Sequence, residues 1–290
     1  MKKLCLSLRK AKKKSTKTNR KNFMYRHLAS AVFSIFLLNG CGSSTDSTDE
    51  LHTNPNATSS PYVQVEAINH VGATAVQKYI KSRLPTIVQE EMDPEDLYIE
   101  DPQAYDLFKP MPVNFRMTLY YVGPTKNQLQ QKLVTTLDEL YAKRHTQWHM
   151  GPVTLQHDAD FFGSKNELLV IKLSDPTNSL TAWHNEIKQA LLAENEAYQK
   201  STGSELFPPE CGDRYPFLPH LPIGTVRFGN FIKRSIPRGK REKIRKKLQA
   251  RIIKEVNEFV QTQSPTERIF EIDNFIILGY QWKVLKKWTL

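Results

Sequence analysis

The chain has 290 residues, of which 39% are hydrophobic and 24% charged, with a formal charge of +11 and a pI near 9.4. Eleven of its 41 Lys and Arg fall within residues 1–40, where no Asp or Glu occurs. The remainder carries thirty basic and thirty acidic residues, so overall charge gives no support to a nucleic-acid binder. The three cysteines, Cys5, Cys41 and Cys211, are too few for a disulfide framework.

The first predicted element is a leader. A basic segment from Lys10 to Lys21 precedes an apolar run from Leu28 to Leu38, which ends in Leu38-Asn39-Gly40-Cys41. As a helix this run rises only about 16 Å, short of the ~30 Å hydrocarbon core, and reads as a signal h-region. The ending resembles the lipobox of bacterial lipoproteins, which implies that residues 1–40 are removed and that Cys41 is lipidated and anchors the chain to a membrane. Met24 is a second candidate start. By the same resemblance, Gly42 in place of Asp points to the periplasmic face of the outer membrane within the cell envelope. Residues 41–61, rich in Ser, Thr, Asp and Asn, read as a disordered tether.

From Tyr62 the pattern becomes periodic. Tyr62–Ile68 alternates like a strand, and Ala73–Glu91 reads as a helix that Pro85 should kink or end. Residues 93–110 form an acidic, Pro-containing loop. Val113–Val122 is a strand with Val113, Phe115, Met117, Leu119 and Tyr121 on one face, followed by a helix from Thr125 to Arg144 with a Leu129, Leu133, Leu137, Leu140 stripe. Pro152–Gln156 is a further strand. The layout then recurs: a strand at Glu167–Leu173, a helix from Ser179 to Tyr198 capped by Asp175, a strand at Phe217–Phe228, a basic helix at Arg238–Val260, and strands at Ile269–Leu278 and Lys283–Leu290. The predicted fold is α+β: two pseudo-duplicated lobes of antiparallel sheet, roughly 62–160 and 161–290, with outer helices around a central cleft.

Two segments carry the chemistry. Phe115-Arg116-Met117-Thr118-Leu119 and Pro219-His220-Leu221-Pro222-Ile223 occupy matching places in the two halves. On a strand, residues i and i+2 share a face, so Arg116 points with Thr118 and His220 with Pro222. Phe115–Gly123 resembles the first motif strand of the two-histidine phosphoesterases, the superfamily of bacterial 2′-5′ RNA ligases and RNA 2′,3′-cyclic phosphodiesterases. Tyr215–Gly224 resembles the second. Phe161-Phe162-Gly163, Leu168–Leu173, Leu180-x-x-x-His184 and Phe270–Leu278 follow the family's spacing, so the resemblance spans residues 62–290.

The resemblance implies a phosphate held between the two motifs, with His-x-Thr in each. Here the first His is Arg116 and the second Thr is Pro222. A guanidinium stays protonated and cannot cycle a proton, although it can grip a phosphate or carboxylate bidentately. His220 remains as the catalytic candidate, and Arg116 and Thr118 as phosphate-binding candidates. The implied function is binding of a phosphorylated or nucleotide-like ligand with reduced or absent catalysis. The alternatives are a weakly active 2′,3′-cyclic phosphodiesterase using His220 and a ligand-free envelope adaptor.

Each candidate also has a plain structural reading: His220 as a satisfied strand histidine, Arg116 as one member of an ion pair. No cofactor is implied, and no metal, because His145, His149 and His157 lack the further ligands of a zinc motif. Lys233–Lys254, with eleven basic residues, reads either as a solvated helix face or as a track for RNA phosphates or anionic lipid. Cys41→Ala is expected to move the protein from the membrane fraction to the soluble one. Detergent-phase partitioning checks this, and unchanged partitioning would refute the anchor.

Overall fold

Residues 56–68, 70–112, 114–146, 153–212, 216–279 and 282–290 are described by the structure, a computed structural model. They belong to one unit spanning Ser44–Leu290. The leader, Cys41, Val113, His149 and Tyr215 lie outside the described residues.

The elements run in the order β1 Thr58–Ser59, β2 Tyr62–Ile68, α1 Val71–Glu91, β3 Phe108–Pro110, β4 Asn114–Tyr121, β5 Thr125–Lys126 and α2 Gln130–Arg144. They continue with β6 Val153–Phe162, β7 Leu168–Ser174, α3 Ser179–Thr202, β8 His220–Val226, α4 Arg238–Thr262, α5 Pro265–Arg268, β9 Ile269–Phe270, β10 Asn274–Leu278 and β11 Val284–Thr289. One sheet has the order β11-β10-β2-β4 and the other β3-β8-β7-β6-β9, with every pairing antiparallel. The fold is α+β.

The duplicated order of elements is present, but the lobes are not the two halves of the chain. The first-half strand β6 pairs with β7, and the second-half strand β10 pairs with β2. Each sheet therefore takes two strands from the other half: β10 and β11 join β2 and β4, and β3 and β6 join β7, β8 and β9. The helices cross over as well. The second-half helix α3 packs beside β4 and α2, while the first-half helix α1 packs beside β8 and α4.

Apolar spacing explains these contacts. Leu180, Trp183, Ile187 and Leu191 form the buried stripe of α3, and Leu248, Ile252, Val256 and Val260 that of α4. In α2, Leu133 and Leu137 are buried while Leu140, and Leu129 just before the helix, pack at the edge of the core. Helix α1 reaches Glu91 as expected, and Pro85 does not end it. Burial of Leu84, Ile87 and Val88 on one stripe offsets the missing hydrogen bond, which alone costs about 3 kcal/mol. Asp175 caps α3 as anticipated, accepting from Ser179 N at 3.1 Å and Leu180 N at 2.7 Å. The strand expected over Ile269–Leu278 is split into β9 and β10, each in a different sheet.

Both motif strands carry a bulge at the same place. Opposite β2, Val63 faces Tyr120 and Gln64 faces Thr118, so Leu119 is the extra residue. Opposite β7, Leu169 faces Gly224 and Val170 faces Pro222, so Ile223 is the extra residue. The bulge corrects the simple alternation read along β4: Leu119 and Tyr120 are both buried, and Tyr121 rejoins the half-exposed face.

Gly224 follows the second bulge, where a Cβ would lie 2.3 Å from Phe108 Cζ and 2.6 Å from Lys109 O. Gly224→Ala is expected to cost about 1–3 kcal/mol, since β3 must move to admit the methyl group. Chemical denaturation measures this, and an unchanged midpoint would show that β3 yields freely.

Candidate functional site

The motif strands β4 and β8 are neighbours. Arg116 and Thr118 lie on the half-exposed face of β4, opposite to the buried Phe115 and Met117. His220 and Pro222 lie on the half-exposed face of β8, opposite to the buried Leu221 and Ile223. The matching placement expected from the sequence is thus present in the strands themselves. Pro222 stands opposite Val170 and offers neither hydroxyl nor N–H. The pairing of β3 with β8 begins only at Gly224, beyond Pro222.

Arg116 is the more constrained of the two motif heads. It stands opposite Glu66 on β2 and donates from Nε to Glu66 Oε1 at 3.0 Å. Lys287 Nζ reaches Glu66 Oε2 at 3.1 Å, and Asn274 Nδ2 reaches the same oxygen at 3.2 Å. Glu66 is only 2% exposed. Burial pushes its carboxyl up, but the hydrogen bonds from Lys287 and Arg116 outweigh burial and hold it below its ordinary value. The ion-pair reading of Arg116 is therefore realised, with the carboxylate on the neighbouring strand. Thr118 accepts a hydrogen bond from Gln64 Nε2 at 2.9 Å, which leaves its own hydroxyl hydrogen to donate.

His220 sits in a drier setting. Its Nδ1 lies 2.7 Å from Leu218 O, and a carbonyl can only accept, so the proton is on Nδ1 and Nε2 is the basic nitrogen of the neutral ring. The ring packs on Phe162 at 4.6 Å. Burial lowers its pKa against the opposing pull of the Leu218 carbonyl, so the ring is neutral at pH 7. Lys172, opposite His220 on β7, is engaged by Asp158 at 2.8 Å.

Two further polar contacts hold the bulges. His184 of α3 donates from Nδ1 to Leu119 O at 2.6 Å, and its ring stacks on Phe217 at 4.4 Å. Gln77 of α1 donates to Ile223 O at 2.8 Å and to Met111 O at 2.9 Å. Of this pair, only His184 stood out in the sequence, through its spacing from Leu180. The signal for Gln64 and Glu66 was the polar phase of Tyr62–Ile68, whose other phase, Val63, Val65 and Ala67, enters the core. Gln77 had no signal.

The remaining candidates are dispersed. His145 Nδ1 binds Tyr141 O at 3.0 Å, and its ring stacks on Tyr141. His157 lies with Asp158, Ser174 and Arg268 around a cavity of about 460 Å³, and a second cavity of about 290 Å³ lies between Lys126, Tyr198 and Pro208. Neither includes Arg116, Thr118 or His220. No group of His, Cys, Asp or Glu among the described residues is arranged to hold a metal ion. Within Lys233–Lys254, Lys240 pairs with Asp96, Lys247 with Glu91, and Arg251 with Glu255 at 2.7 Å. Arg251 also reaches Glu90 and Glu91, so the acidic end of α1 and the loop after it form ion pairs with three of the eleven basic residues of that run. No described helix is long and apolar enough to cross a membrane.

No protein-family model and no curated protein matches this chain. Among solved structures it is similar to Kluyveromyces marxianus Usb1, with a TM-score of 0.44 and 13% identity over 82% of this chain and 99% of that one. The same protein with uridine monophosphate gives a TM-score of 0.44 and 10% identity, over 81% and 99%.

Glu66→Gln keeps the side-chain shape but leaves Arg116 and Lys287 without a carboxylate. Both cations are partly exposed, so the expected loss at pH 7 is about 1–3 kcal/mol, below that for a fully buried pair. Because the folded carboxyl titrates below the ordinary 4.5, its contribution is complete above that pH and is lost as pH falls through the folded value. Urea denaturation of both proteins should show their gap closing toward acid. A gap independent of pH would count against this network.

Proposed function

We propose that this chain is a two-histidine phosphoesterase-like protein, lipid-anchored through Cys41 in a bacterial cell envelope, that binds a phosphorylated or nucleotide-like ligand. Arg116, Thr118 and His220 are the contacts, and catalysis is reduced or absent. The observation that carries this reading is the matched geometry of β4 and β8. In both strands the motif pair sits on the half-exposed face, and a single-residue bulge follows the pair directly. The reading is supported by the residue types on these neighbouring strands, a fixed cation and a hydroxyl on β4 and an imidazole on β8. That set suits an anion.

The chemistry of phosphodiester cleavage explains why turnover is expected to be weak. Attack on a cyclic phosphate needs a base for the incoming oxygen and an acid for the leaving one. Arg116 supplies neither, since it holds its proton throughout the accessible pH range. A second reading, a weak 2′,3′-cyclic phosphodiesterase, draws support from the Nδ1–H tautomer of His220, which leaves Nε2 free of its backbone partner and able to accept a proton. Turnover of 2′,3′-cyclic AMP by the protein, abolished in His220→Ala, would establish it.

Titration with 2′,3′-cyclic AMP tests the binding reading, because its phosphodiester keeps one negative charge across the pH range used. At pH 8, Arg116→Ala should weaken binding about tenfold or more, and His220→Ala only a few-fold. The first removes a charge-assisted contact and the second a neutral one. As pH falls below the ordinary 6.5 and through the lowered value of His220, the ring gains charge and the His220→Ala penalty should grow. Equal and negligible effects of both substitutions would leave the adaptor reading standing.

A further inference from the structure

Across β2 and β4, directly paired residues share a face, and Tyr62–Tyr121, Gln64–Thr118 and Glu66–Arg116 are successive pairs on it; Tyr62 and the three β4 members are half-exposed, while Gln64 and Glu66 are buried beside them. The first of these is aromatic, with ring centroids 4.9 Å apart. A third ring covers it: Trp282, in the turn between β10 and β11, stacks on Tyr62 at 5.1 Å with an interplanar angle of 19°. Trp282 is nonetheless 42% exposed. Tyr62 occupies one face of the indole, and Trp282 makes no other ring contact among the described residues.

The backbone beneath this indole is strained. Trp282 has φ of 63°, a left-handed conformation that costs a bulky residue about 1–3 kcal/mol. Its N–H bonds Gly279 O at 3.2 Å, and Lys283 O accepts from Gly279 N at 2.9 Å, which closes the turn and presents the ring. An exposed tryptophan held in a strained conformation over Tyr62, which itself packs on Tyr121, is an unusual way to finish a sheet edge. It is an efficient way to present a π face.

Distance along the strand connects the ring to the motif. One pair step on the same face, from Tyr62 to Gln64, is about 6.6 Å, and Arg116 lies one step further. A ribose spans about the first step between its base and its phosphate. We propose that Trp282, backed by Tyr62 and Tyr121, stacks the base of a nucleotide whose phosphate lies at Thr118 and Arg116. This inference rests on the phosphate reading above and narrows it to nucleotides. Stacking is tolerant of base identity, since every base has a π face, so a preference for purines by ring area is expected over a hydrogen-bonded code.

The test titrates the protein with adenosine monophosphate, adenosine and ribose 5-phosphate. Trp282→Ala should weaken adenosine monophosphate about tenfold or more and leave ribose 5-phosphate unchanged. Trp282→Phe should keep most of the affinity. Trp282→Leu, which preserves bulk without a π face, should fall to the alanine level, and thermal melts confirm that each variant folds. Undiminished binding of adenosine monophosphate by Trp282→Ala and Trp282→Leu, with ribose 5-phosphate still sensitive to Arg116→Ala, overturns the platform and spares the phosphate site. Ribose 5-phosphate binding that ignores Arg116→Ala overturns the phosphate assignment instead, and binding of none of the three overturns both.

Discussion

The carbonyls of Leu119 and Ile223 belong to the extra residues of two bulges, and each is met by a side chain from a crossing helix. His184 reaches the first at 2.6 Å and Gln77 the second at 2.8 Å. A buried acceptor left without a donor costs about 1–3 kcal/mol, and each helix side chain supplies a donor at its bulge. Ile223 O also receives Met111 N at 2.9 Å, which ties the end of β3 to the same point. These contacts fix the backbone immediately after the motif pairs Arg116/Thr118 and His220/Pro222. The donors come from α3 for β4 and from α1 for β8, so each half of the chain braces the bulge beside the other's motif.

Around this shared frame the two motif positions have opposite electrical settings. Arg116 keeps its charge and is tied to Glu66, itself fully engaged by Lys287 and Asn274. His220 lies against Phe162 and is held neutral by burial. One position is a permanent cation and the other is a base that gains charge only in acid. A pair of interchangeable acid–base groups is absent from these two positions, whatever ligand they meet.

Much of this was legible in the sequence. The apolar periods of Leu133–Leu137 and Leu248–Val256 located α2 and α4, and the two motif segments emerged as strands with their polar pairs on one face. Three things were not legible. Pro85 left open whether the helix would be interrupted before Glu91, and tertiary burial of its neighbours carries it through. The bulges cannot be read from a period of two, because a single extra residue leaves each flanking segment with its own valid alternation. The exchange of β6 and β10 between sheets is invisible for a different reason: order along the chain does not determine pairing. For the site, Arg116 raised the question of a carboxylate partner, but Glu66 could be assigned only once β2 was known to lie beside β4 in that register.

The exchange of strands between the two halves bears on how the molecule comes to be folded. Glu66 and Asn274 are joined across 208 positions, and Ile68 N meets Asp273 across 205. The first sheet therefore cannot close until nearly the whole chain has been made, and pairings of such separation make for slow folding. During synthesis β2 and β4 emerge early with the ladder side of β2 open, an interval in which a growing chain is vulnerable to aggregation and is also still threadable. Neither half has a complete sheet to fold around, so loss of the last few residues would be felt at the opposite end of the sequence.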